Sequence, residues 1–254
     1  MSYLQRLAFR MEQEERDLLL NRHLTLSHQL RTRLLSQFDD IDGEAGEVYC
    51  ETMIAGLSEV DDDRFTEFDL LERADAVSGS FHDALSQTRR DAHLVIATGL
   101  YHLLEKSLKE WIDWKMHVQR MPMRMRNNIL GAHKFDQVVD FLSLFMKGSA
   151  PWDVRSEPCF RGIDRCRLAV NAYKHGGGPS AGNLEKYHPD LFYGSSSASS
   201  RNVWKMLDPE YVRIETVHLD EFSDAIEGFW KAMPEELILP NPKPVLPGWL
   251  IKGV

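Results

Sequence analysis

The stretch RRDAHLVIATGLYHLLEKSLKEWIDWKMHV, residues 89–118, constrains the fold more than any other part of this 254-residue chain. Ile96, Leu100, Leu103, Leu104, Leu108, Trp111 and Ile112 recur at three- and four-residue intervals, the period of an α-helix. A stripe that broad needs apolar neighbours on more than one side, which is the situation of a central helix in a bundle. Gly99 lies inside it at a cost of about 1 kcal/mol in helix propensity, and a close helix crossing is the usual reason for such a residue.

Other segments repeat the helical period. Leu4, Leu7, Met11, Leu18, Leu26, Leu30 and Leu34 predict one long amphipathic helix, or two abutting ones, over residues 2–37. FDDIDGEAGE then reads as a turn-rich acidic break. Periodicity resumes weakly from Val48 to Leu57, and again around Phe65, Phe68, Leu71, Val77, Phe81 and Leu85. Phe135, Val138, Val139, Leu142 and Phe145 predict a helix over 134–147 that Gly148 ends.

Beyond residue 176 the pattern changes. GSSSASSR, 194–201, reads as a surface loop, and VWKM (203–206) with YVRIETVHL (211–219) alternates as a small β-hairpin would. Residues 220–233 predict a last helix with Asp220 as N-cap. The tail PEELILPNPKPVLPGWL holds five of the eleven prolines and must run largely extended. The expected fold is mainly α: a helical bundle with a small β-hairpin near the C-terminus and an extended proline-rich tail. Its expected divisions are an N-terminal helical region over 1–85, a bundle core over 86–193 and an appendage over 194–254, unless all three form one domain.

Composition narrows the function classes. With 43% hydrophobic and 27% charged residues the chain has the balance of a folded globular protein. A formal charge of −9 gives no overall basic signature for nucleic acid, but the charge is uneven. Residues 39–75 hold fourteen Asp or Glu against Arg64 and Arg73, whereas 114–135 hold Lys115, Arg120, Arg124, Arg126 and Lys134 with no carboxylate. That basic connector, RMPMRMRNNILGAHK, has the composition to track a phosphate backbone, and equally that of a solvated loop with methionines filling core gaps. Cys50, Cys159 and Cys166 form no CxxC pair and fit a reducing compartment. No run of eighteen apolar residues occurs and the first residues carry charges in every turn, so a cytoplasmic, non-membrane protein is expected. His102-x-x-Glu105 is a possible ligand pair that nothing completes, and no dinucleotide, P-loop or serine-hydrolase motif occurs, so no metal or organic cofactor is expected.

One constellation rises above this background. On a helix over 161–175, Ile163, Cys166, Val170 and Tyr173 fall on one side and would face the core. Asp164, Arg167, Asn171 and His175 form a polar stripe within about 80° of one another. Gly176-Gly177-Gly178 then stops the helix, and Pro179 opposes its resumption. Lys174 and His175 thus occupy the last turn, where a cation complements the macrodipole by about 0.3–1 kcal/mol whether or not it does chemistry. A glycine run after a helix cannot cradle phosphate as one before a helix does, because carbonyls point from that end.

Arg167, Asn171, Lys174, His175 and Gly176, followed by Pro189-Asp190-Leu191-Phe192, resemble the terminal signature helix of HEPN domains, especially bacterial members with a PDLF-like segment. The resemblance covers about residues 88–192, with the helix carrying His102, Glu105 and Lys106 as packing partner. It implies an all-α bundle that often forms a homodimer and, in active members, a metal-independent RNA endonuclease of the toxin or phage-defence kind. The 2′-hydroxyl would attack the adjacent phosphate. His175 would move the proton, Arg167 would clamp the phosphate, and Asn171, Asp164 and Glu105 would support them. Lys174, Arg120, Arg124 and Arg126 would bind RNA, and a protein partner or antitoxin would fit the same setting. The family leaves four to six residues between Arg and His, whereas seven separate Arg167 from His175, about 12 Å along the axis. The alternative is a non-catalytic HEPN-like interaction or dimerisation module using the same stripe.

Overall fold

The computed structural model describes residues 8–60, 66–176, 178–192, 212–240 and 246–252. Its elements are β1 (Ala8–Arg10), α1 (Gln13–Arg33), α2 (Ile41–Val60), α3 (Glu67–Val118), α4 (Met123–Leu130), α5 (Phe135–Leu142), β2 (Met146–Lys147), β3 (Ala150–Pro151), α6 (Phe160–His175), α7 (Pro179–Tyr187), α8 (Thr216–Ala232), β4 (Glu236–Ile238) and α9 (Gly248–Ile251). The chain is mainly helical with one small four-stranded antiparallel sheet. It forms two compact units, His28–Ile96 on one hand and Met1–Ser27 with Ala97–Val254 on the other. The divisions drawn from sequence at 85 and 193 therefore differ: the boundary falls inside α3, and the first 27 residues belong with the C-terminal half.

In the larger unit Leu100, Leu104, Leu108, Ile112 and Met116 of α3 are fully buried, so the stripe that dominates the sequence is the core. A close helix crossing is made at Gly162 of α6, where a Cβ would come within 2.6 Å of the Ala225 Cβ on α8. The sheet runs β1-β4-β2-β3, with Ala8 opposite Ile238, Phe9 opposite Leu237 and Arg10 opposite Glu236. It draws both ends of the described chain together. Phe9 points inward, its ring 4.8 Å from Phe145 and edge-on to Trp111 at 5.9 Å. Residues 8–10, expected as helix, are a strand paired with β4, and its alternation turns Phe9 into the core and Arg10 outward. Leu4 and Leu7 lie outside the described residues.

The leucine stripe expected on α1 is not what packs. Leu18 is 68% exposed, and the buried residues of the helix are Arg16, His23 and Ser27. Arg16 donates to the carbonyls of Trp230 and, at 3.1 Å, Lys231, capping the C-terminal end of α8. His23 Nε2 lies 3.2 Å from the Ser223 hydroxyl, which donates to Ser27. Lys115 reaches both oxygens of Glu15 at 2.6 Å. A guanidinium suits the last turn of a helix, where carbonyls lack partners and the dipole is negative.

FDDIDGEAGE breaks the helix only at its start, where Phe38 to Asp40 lie between α1 and α2, and from Ile41 onward it is helical. The Asp40 carboxylate accepts from the Gly43 N–H at 3.2 Å, so the acidic run starts α2. In the smaller unit the contact face is Ile41, Ala45, Leu70 and Ala74, while Phe68, Leu71 and Val77 are exposed. Thr66 and Asp69 cap each other reciprocally at the start of α3.

Residues 193–211, with GSSSASSR and VWKM, lie outside the described residues, but 216–219 begin α8 rather than a hairpin strand. His218 Nδ1 accepts from the Glu215 N–H at 3.0 Å, so the helix begins four residues before Asp220. Among the described residues a hairpin joins β2 to β3 through Gly148, whose positive φ of 64° suits the turn, and the preceding helix ends at Leu142. In the tail, Leu237 and Leu250 are fully buried, and Asn128 holds the Leu250 carbonyl at 2.9 Å. Residues 246–252, expected as extended, include the short helix α9.

Arg16→Met should lower stability by about 1–3 kcal/mol by stranding the end of α8, whereas Leu18→Ser should leave the melting temperature unchanged. Thermal unfolding followed by circular dichroism checks both, and equal losses would contradict a polar seam.

Candidate functional site

α6 is buried over most of its circumference. Ile163, Cys166 and Val170 face the core as the pattern requires, and Leu168, Ala169 and Ala172 are buried as well, whereas Tyr173 is half-exposed. Burial pushes the Cys166 thiol well up, and its S–H points to the Ala97 carbonyl 3.8 Å away on α3. The helix ends at His175 because Gly176 adopts φ 64°. Pro179 does not prevent a further helix. It occupies the first position of α7, where its missing N–H is harmless.

The polar stripe is real at its N-terminal half and occupied there. Arg167 donates to Asp164 Oδ1 at 2.9 Å through Nε and 2.6 Å through Nη2, and its Nη1 lies 3.6 Å from Asp136. Asp136 also faces Arg155, which reaches Asp140 at 2.8 Å. Burial opposes the charge on Arg167, but Asp164 and Asp136 outweigh it and hold the guanidinium above its ordinary pKa. Two carboxylates thus take the fork expected to clamp phosphate. Asn171 is half-buried one turn further on, and Lys174 and His175 are exposed.

The exposed end acquires a partner from α3. Lys174 donates to His102 Nε2, and the other ring nitrogen, Nδ1, stands 3.7 Å from Glu105. That places the imidazole proton on the Glu105 side and the lone pair toward Lys174. Burial lowers the His102 pKa first, Lys174 lowers it further, and Glu105 opposes both. Glu105 also receives Lys109 at 2.8 Å, so it orients His102 and Lys109 rather than Arg167 or His175. A groove of about 430 Å³ runs beside them, lined by His102, Glu105, Lys106, Lys109, Glu110 and Leu130. Tyr101 packs against Phe135 and His102, its phenol pushed upward by burial and by Glu105.

Most of the basic connector is helix α4 rather than a loop. Met121 and Met125 fill the core, while Arg126 grips Asp113 at 2.8 and 3.0 Å and His117 at 2.9 Å. Arg124 is exposed, and Arg120 sits in the left-handed region at φ 54°. The structure does not bring Arg120, Arg124 or Arg126 into the groove beside His102.

A second cluster escaped the sequence reading. Arg165, two residues before Arg167, pairs with Asp190 of the PDLF segment and with Glu221 of α8. His188 and His218 are buried near it, and a groove of about 610 Å³ lies among Arg161, Arg165, His188, Asp190 and Glu221. Burial lowers the pKa of both histidines, and Arg165 lowers it further. The only signal in the sequence was the PDLF aspartate, whose partner lies 25 residues back.

No family model, no curated protein and no solved structure matches the chain. Among the described residues no helix is long and apolar enough to cross a membrane, and no group of three or more His, Cys, Asp or Glu is placed to hold a metal ion.

The two buried histidines set a pH dependence. Their folded pKa values lie below the unfolded value near 6.5, so the unfolded chain binds protons first as pH falls. Stability is full above that value and is lost downward from it toward the lowered folded values. Urea unfolding at pH 7.5 and 5.5 should show that loss in the wild type and a smaller one in His188→Gln with His218→Gln.

Proposed function

We propose that this chain is a HEPN-like protein that engages RNA at the C-terminal end of α6 and cleaves it without need of a metal. The observation that carries the reading is the contact of Lys174 with a Glu105-oriented His102, next to the exposed His175. Together they put an imidazole and an ammonium at one open surface, with His175 exposed at the next position of the chain. A bound phosphate would draw Lys174 to itself and free the His102 lone pair. His102, kept neutral by its lowered pKa, would take the 2′-hydroxyl proton as that oxygen bonds to phosphorus. The bond to the 5′-oxygen would break, His175 would return a proton to that oxygen, and Lys174 would balance the growing phosphate charge. Arg167 moves from phosphate clamp to scaffold, because Asp164 and Asp136 already neutralise it. The toxin or phage-defence setting, the homodimer and an antitoxin-like partner rest on the family resemblance alone.

The second reading is the non-catalytic HEPN-like module. The same enclosed Arg167 favours it, since active members of that family use this arginine on phosphate.

Purified protein should cut total RNA in EDTA to products ending in a cyclic phosphate. His102→Ala and His175→Ala should each lower the rate by about 10²-fold or more, the range of acid–base catalysis. Lys174→Ala should weaken it too, while Arg167→Ala should act mainly on thermal stability. A folded wild type that leaves RNA intact would favour the module.

A further inference from the structure

The smaller unit carries an apolar face that its own helices do not use. Ile54 and Leu57 on α2 are 70% and 58% exposed, and Phe68 and Leu71 on α3 are 72% and 38% exposed. Three contacts give the direction of the pair. A Cβ on Gly56 would lie 2.1 Å from Leu70, Ser78 donates to the Ala45 carbonyl at 2.8 Å, and His82 stands 3.3 Å from Asp42. As one chain number falls the other rises, so the helices are antiparallel. Leu57 and Leu71 each follow a contact residue by one position, about 100° of rotation, which in an antiparallel pair turns both to the same side. Ile54 and Phe68 flank them on the outer edges.

Acidic residues share this side of the pair. By the same rotation Glu67 and Asp75 of α3 fall on the side of Leu57 and Leu71, Glu47 of α2 and Glu72 of α3 fall on its outer edges, and α2 carries no Lys or Arg. Residues 28–96 hold sixteen Asp or Glu against six Lys or Arg, whereas the rest of the chain holds 23 against 24. The whole acidic excess of the protein therefore lies in the unit that displays the uncovered apolar residues.

We propose that this face docks a basic amphipathic helix of a partner protein. Leucine-like anchors of such a helix would cover Ile54, Leu57, Phe68 and Leu71, and its lysines or arginines would meet the surrounding carboxylates. A second copy of this chain is the poorer occupant, because like charges would be pressed together around the contact. Nucleic acid and anionic membrane are repelled by the same rim. The inference is independent of the RNA reading and fails separately from it.

The test uses the full chain and a labelled amphipathic Leu/Lys peptide of about eighteen residues, five helical turns, followed by fluorescence anisotropy. The peptide should bind, and its Leu/Glu counterpart and a shuffled Leu/Lys peptide without an apolar face should not. Ile54→Ser with Phe68→Ser should weaken binding by about tenfold or more without lowering the melting temperature, since both side chains are exposed. Failure of the Leu/Lys peptide to bind, equal binding of the shuffled peptide, or undiminished binding to the double variant would overturn the proposal. A concentration-dependent dimer abolished by that variant would also overturn it, assigning the face to a second copy.

Discussion

The burial of α6 governs what the larger unit can do. With Ile163, Cys166, Leu168, Ala169, Val170 and Ala172 all inside, the helix has only a narrow ridge and its C-terminal end for polar groups. Arg165 and Arg167 leave that ridge in different directions, and each finds carboxylates on other elements. A half-buried guanidinium without such partners would be costly, so the pairing follows from the packing before any function is considered. What remains for chemistry is the end of the helix, where Gly176 turns the chain away and Lys174 and His175 reach solvent.

The same constraint decides how much was legible beforehand. Local apolar periods located α3, α5 and α6, because a helix that must be covered repeats its apolar residues every three or four positions. The glycine stop after His175 was equally legible, since a positive φ is a property of the residue itself. α1 misled for the complementary reason. Leucine spacing shows that a helix can bury a stripe but not that a partner is present, and here Arg16 and His23 pack against residues that lie 214 and 200 positions away. The acidic stretch near Asp40 misled because aspartate opens helices as readily as it fills turns.

The candidate site was half legible. Helical geometry placed Asp164 beside Arg167, which the structure shows as an ion pair at 2.6 Å. It had no means of placing Asp136 there, nor of bringing His102 from α3 against Lys174, because both contacts depend on tertiary packing. Arg167 and His175 looked equivalent on one ridge, yet one is enclosed by carboxylates and the other stands in solvent.

Charge makes the final separation. A net charge of −9 taken over the whole chain argues against an RNA surface, but fields in physiological salt decay over about 8 Å, so each surface answers only to its own neighbours. Around His102 the carboxylates are matched: Glu105 holds Lys109, and Glu110 faces Arg22 and Lys106. Matched carboxylates leave Lys174 as a usable cation at that surface. α2 itself carries no Lys or Arg beside its carboxylates, and its Ile54 and Leu57 are apolar and exposed. An anionic ligand and a cationic one can therefore be served by one acidic chain, because the net acidic excess lies within residues 28–96.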